Sequence, residues 1–457
     1  MLSFDKVKKV RTKISVGIIC GIFAIALPSC QKITTPGDVK YLNDFHKAYF
    51  LQETNILSED SLALYVDYST CIAEGMKTSR FYEKLVPSFV EATKTYHAIK
   101  GDVIIKEEPT DTYNRLLNIE EVNYADLKTA AEEIVAGNTE AALLTDGEYY
   151  NPTKGGANPN NPYLTKAFKT WLKKGHDIYI ISEPYKEMHK GIEYNKKRFY
   201  FLFTDSRLKN NIYERIIKTA SINSYEGIEE FHLSANHPNI KTDETTIQVN
   251  ESLAATREIH EGYEIQDWSI SWKFINNNIL CAVNPNTGEQ LKNGDFIVKG
   301  MKIDRNTFGG YKIEDVDIKV YNINNAYMNF YTQMDTCGNG KIELSDITEE
   351  KHFMIIDHNQ FANDGSADIY FDVQNFDNFF LKEGNPNNYI KIDFLINKTE
   401  NAFCKNAQMF EFELLGQKGT INSSVVTSVE QCLVDKELED RVKEAPFYTI
   451  YVKSNKY

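Results

Sequence analysis

Between residues 55 and 221, short apolar runs alternate with segments whose apolar residues recur every three or four positions. The runs at 62–66, 103–106, 141–145, 178–182 and 199–203 have the length and composition of buried strands. Phe81, Leu85 and Phe89, then Leu127, Ala131 and Ile134, then Leu164, Phe168 and Leu172, each share one face of a helix. Asn161 suits the cap of the third helix and Pro162 its first turn. Gly175 suits its end, after Lys173 and Lys174, where cations complement the helix dipole. A last helix with Ile212 and Ile216 inward closes the unit near Ser221. Strands and helices taken in turn predict an α/β, Rossmann-like domain at 55–221, a mostly parallel sheet covered on both faces.

The period then changes to two. Trp268, Ile270, Trp272 and Phe274 alternate with Ser269, Ser271 and Lys273, and the pattern returns at 369–373, 390–396 and 410–414. Half-buried strands at this spacing predict an all-β, sandwich-like region at 222–457, one or two antiparallel domains. A helical interlude at 424–442 precedes a final strand at 447–452.

The N-terminus reads differently from both. Lys6, Lys8, Lys9, Arg11 and Lys13 precede an apolar run, 14–27, too short to span a bilayer. The run ends in Leu27-Pro28-Ser29-Cys30, which resembles the bacterial lipobox, Pro28 standing where a small residue is usual. The resemblance implies removal of residues 1–29, acylation of Cys30 and a lipidated tether at 30–54. A single transmembrane anchor or an unrelated apolar leader is the competing reading. Acyl chains bury methylenes at about 0.8 kcal/mol each, so the membrane is an expected partner. The expected location is the bacterial cell envelope, at the outer membrane, with periplasmic and surface faces both open because residues 31–37 lack acidic groups.

Charge narrows the partners. Loss of five basic residues and Asp5 with the leader takes the net charge from −14 to −18, which argues against nucleic acid and against docking on anionic lipid through a basic face. Five cysteines besides Cys30 follow the leader, with no CxxC pair or zinc spacing, so no disulfide is assigned.

Candidate chemistry sits at strand ends. Asp67-Tyr68-Ser69-Thr70-Cys71 follows the first predicted strand, and Thr145-Asp146-Gly147 closes the third. Ligands of open α/β sheets gather outside the carboxyl ends of strands, so Asp67 and Asp146 are expected on one rim. Paired carboxylates there suit a hard divalent cation. Here the chain resembles the von Willebrand factor type A domain, whose metal-dependent adhesion site uses Asp-x-Ser-x-Ser, a later threonine and a later Asp-Gly. The resemblance implies Asp67, Ser69 and Asp146 as metal ligands, with Mg2+ or Ca2+ as the cofactor. Cys71 departs from the second serine, and Asn123, after Glu120 and Glu121, stands near the threonine position. Both aspartates equally suit caps of loops and helices. The long loop after Asp146 offers Tyr149 and Tyr150 as a partner-contact surface, or is a mobile insertion.

Other motifs are weaker. Asp335-Thr336-Cys337-Gly338-Asn339-Gly340, with Ile342 and Asp346, partly fits a calcium loop, but Cys337 and Asp346 replace oxygen and glutamate ligands, and the flanks alternate like strands. His232 and His237 lack the spacing and glutamate of a zinc protease. Three functions follow. The first is a lipid-anchored binding, adhesion or scaffold protein with a protein partner, in which the chain is not an enzyme. The others are a metal-dependent, phosphoesterase-like hydrolase and a glycan-binding accessory lipoprotein.

Overall fold

In strand β1 (Ser58–Asp67), Leu62, Leu64 and Val66 face one side while Ala63 and Tyr65 face the other, and both sides are buried. The same split recurs in β4 (Thr139–Thr145) and β8 (Ile192–Thr204), where Phe199, Phe201 and Phe203 oppose Tyr200 and Leu202. Apolar residues on both faces of a strand require cover on both faces. The structure, a computed structural model, describes residues 39–456 except 51–56, 120–121, 123–124, 149, 152–155, 158–160, 209, 219, 237–246, 251–253, 261, 276–278, 284–286, 306–309, 338–341, 350–353, 373–386, 405–407 and 415–416.

Beside these strands lie β2 (Thr93–Lys100), β3 (Val103–Glu107), β7 (Asp177–His189) and β9 (Glu229–Ser234), in the order β3-β2-β1-β4-β8-β7-β9. The expected mostly parallel sheet is corrected to a mixed one. Only β2, β1 and β4 run parallel, and every other pairing is antiparallel. The cause is local: Lys190 (φ 50°) and Gly191 (φ 79°) form a two-residue turn between His189 and Ile192. The predicted strands 178–182 and 199–203 are therefore halves of one long hairpin, with no helix to carry the chain across. β2 was missed because its sequence, TKTYHAIK, holds no apolar run.

One face is covered by the helix Arg80–Ala92, capped where Ser79 Oγ accepts the Tyr82 N–H at 2.9 Å, and by a short π-helix, Tyr213–Lys218. Phe81, Leu85, Phe89, Ile212 and Ile216 fill the space between helices and sheet. The helices Leu127–Ala136 and Thr165–Lys173 cover the other face. The last of these begins later than expected. Asn161 and Pro162 form the turn before it, and its cap is Leu164, which makes no side-chain bond. Gly175 (φ 86°) ends it as predicted.

The C-terminal half is not all-β. Helices Asn324–Cys337, His358–Asp364, Ser423–Leu433 and Lys436–Glu444 interrupt it, the last two at the predicted interlude. Its larger sheet also contains one parallel pair, Tyr263–Ile275 with Tyr448–Lys456. The chain before Asp335 is thus helix where alternation suggested strand, and it packs Tyr327 and Phe330 against Phe45. Phe45 belongs to a helix, Val39–Phe50, inside the span read as a tether. That helix packs on Tyr263, Tyr389 and Tyr451, residues of the larger sheet's outer face.

The inner face of that sheet, with Ile390, Ile392 and Ile450, shares one buried cluster with Phe168, Trp171, Val425 and Val429. The two halves therefore hold one continuous core, at about 1.5–3 kcal/mol for each fully buried large side chain. Cys30 and the apolar leader lie outside the described residues. Among the described residues no helix is long and apolar enough to cross a membrane.

Candidate functional site

β1 and β4 run parallel with Val66 beside Leu144, so the chains leaving both strands emerge next to each other. Asp67 ends one strand and Asp146 follows the other, and their charges act directly on each other. The sequence expectation that the two aspartates share a rim holds. Asp67 is 2% exposed and Asp146 is half-buried.

Asp67 is only half satisfied. Its Oδ2 accepts the Thr145 hydroxyl at 2.8 Å, while its Oδ1 is buried without a hydrogen-bond partner. Burial pushes the Asp67 carboxyl up to about 7, against the opposing effect of hydroxyls from Thr145 and Ser69, and the Glu148 charge adds to the rise. Asp146 is raised well above the carboxylate range, first by burial, then by the charges of Asp67 and Glu148. Two acids so placed hold a proton between them or need a cation.

Ser69 begins the short helix Thr70–Ala73 without capping it through its side chain. Its hydroxyl instead lies 3.1 Å from Cys71 Sγ. The thiol is fully buried and pushed well up, by burial and then by the Asp146 charge, so it is neither a nucleophile nor a ligand for a hard cation. Arg198, also fully buried, holds this loop: its Nε donates to the Cys71 carbonyl at 2.8 Å and its Nη1 to Glu183 at 2.7 Å.

The second loop is braced from far away. Gly147 (φ 70°) offers its carbonyl to the Tyr163 hydroxyl and to Asn422 Nδ2, both at 2.8 Å. A Cβ at Gly147 would lie 2.9 Å from the Phe199 ring and 3.1 Å from Asn422, so only glycine fits. Asn422 also caps the helix Ser423–Leu433 through Val425 N–H, which ties the rim to the C-terminal half. Lys196 pairs with Glu148 at the edge.

Comparison with protein-family models, curated proteins and solved structures finds no match to the chain. The site is therefore judged on its own donors. Asp67, Asp146 and Ser69 converge, joined by Thr145, which sequence reasoning had placed only as the end of a strand. Among the described residues no group of three or more histidine, cysteine or acidic side chains is arranged to hold a metal. The orphaned Asp67 oxygen and the paired charges fit a cation whose remaining ligands are hydroxyls, water or a partner's carboxylate. Asn123, Glu120, Glu121 and Tyr149 lie outside the described residues. Tyr150 begins a two-residue strand, β5 (Tyr150–Asn151), paired with β6 (Gly156–Ala157) within the long loop. The turn glycines of the calcium-like motif, and His237, also lie outside the described residues, and His232 stands on β9. Sequence reasoning missed Arg198, Glu183 and Asn422, which carry no local motif.

Proposed function

We propose that the chain is a lipid-anchored envelope protein, held through Cys30 at the outer membrane, that contacts a protein partner through the rim around Asp67 and Asp146. A divalent cation, Mg2+ or Ca2+, sits between these acids, as in the von Willebrand factor A-like domains the motif resembles. The observation that carries this reading is the buried Asp67 Oδ1, which has no hydrogen-bond partner, in a carboxyl whose charge acts on that of Asp146. Binding is favoured over hydrolysis because the rim offers acids, hydroxyls and an inert thiol rather than an activated nucleophile. Calorimetric titration of the purified protein with Ca2+, Mg2+ and Mn2+ tests it. One site is expected, lost when Asp67 and Asp146 are both replaced by alanine. No binding of any of the three ions, or binding unchanged in the double variant, refutes the cation.

A further inference from the structure

The helix Val39–Phe50 is held on the larger C-terminal sheet by a cluster of its own. Leu42 and Phe45 pack there with Tyr263, Tyr327, Tyr389 and Tyr451, apart from the core that joins the two halves. The helix can therefore come away as a local unit without opening that core. Within the contact sits a basic group, His46, only 8% exposed. Its Nδ1 lies 2.7 Å from the Tyr451 hydroxyl, and its ring stacks on Tyr263 with centres 4.4 Å apart.

The groups around this imidazole suit its neutral form. Strand Asn387–Asn401 brings the Lys391 ammonium, 4.0 Å above the ring of Phe50 on the same helix, and its charge acts on His46. Asp393 of that strand is committed to Lys391 and to the Thr449 hydroxyl. The strands Tyr263–Ile275 and Tyr448–Lys456 bring Tyr263 and Tyr451, which burial keeps as neutral phenols. His260 stacks on Tyr263 in turn, with its Nε2 3.8 Å from Glu258. The helix Asn324–Cys337 brings Tyr327 and Phe330. On the helix itself Asp44 acts on Tyr263, and Lys47 is exposed. Burial first and Lys391 second push His46 down to about 4. An imidazolium here would carry a buried charge beside a second cation.

We propose that the Val39–Phe50 helix is a strap released by acid: neutral His46 keeps it on the sheet, and protonation of His46 frees it. The strap sets the length of the tether, a consequence that rests on the anchoring through Cys30 proposed above. Eight residues separate Cys30 from the docked helix, a reach of about 30 Å, and release frees the chain as far as Ser58, a reach of about 90 Å. Hydrogen-exchange mass spectrometry of the purified chain from pH 7.5 to pH 5, read as protection factors for residues 41–50, tests the strap. With His46 titrating near 4 when docked and about 6.5 when free, opening is expected to rise about thirtyfold by pH 5, while protection at 390–396 holds. His46→Gln keeps a hydrogen-bonding group for Tyr451 and His46→Phe keeps the stack, and both are expected to lose the pH dependence. Protection of 41–50 that is unchanged by pH in the wild type, an equally steep fall in both variants, or a parallel fall at 390–396 overturns the proposal. The readout does not involve acylation, so such a failure leaves the Cys30 anchor standing, and a chain that proves unacylated leaves the strap standing.

Discussion

Asp67→Asn removes one of two mutually repelling acids while keeping the shape of the side chain, and its effect on stability follows from the site. The Asp67 carboxyl moves from 3.8 in the unfolded chain to about 7 in the folded one. Between those values the folded state keeps a proton that the unfolded state has released. Stability therefore falls as pH rises from about 4 to 7, then levels off. At about 1.36 kcal/mol per pKa unit, the ionised, cation-free site costs up to about 4 kcal/mol above pH 7. Asparagine carries no charge, keeps an acceptor for the Thr145 hydroxyl, and relieves Asp146 of its neighbour's repulsion. Urea unfolding in a chelator at several pH values is the assay. The variant is expected to match or fall below wild type near pH 4 and to exceed it by a few kcal/mol near pH 8, and saturating Ca2+ or Mg2+ is expected to close the gap. Parallel stability curves for the two proteins across this range would refute the reasoning.

Two other variants test the supports of the fold. Arg198→Met leaves Glu183 buried without its cation and frees the Cys71 loop, so a loss of about 3–5 kcal/mol is expected in denaturant unfolding. Phe45→Ala empties the aromatic pocket formed with Tyr327 and Phe330, 5.5 and 5.6 Å away between ring centres, and is expected to cost about 3–5 kcal/mol. Hydrogen exchange would show faster opening of the Val39–Phe50 helix in that variant, and unchanged protection there would count against its docking.

The sequence alone determined much of the local order: the continuous apolar runs of β1, β4 and β8, the helical spacing of Phe81, Leu85 and Phe89, and the end of a helix at Gly175. These are properties of residues a few positions apart. The position of Asp67 and Asp146 on one rim was also legible, because adjacent parallel strands present their carboxyl ends together. Strand direction was not, since a Lys190-Gly191 turn reverses the chain within a stretch that otherwise reads as two separate strands. Nor was the docking of Val39–Phe50, whose aromatic face gains its meaning only when Tyr451 arrives from the far end of the chain. Arg198 illustrates the general reason. A buried charge is tolerable only with partners already in place, and its partners, Glu183 and the Cys71 carbonyl, reach it only after the hairpin and the first loop have packed. Such long-range satisfaction of polar groups leaves no period or motif in the sequence, so the tertiary structure alone decides it.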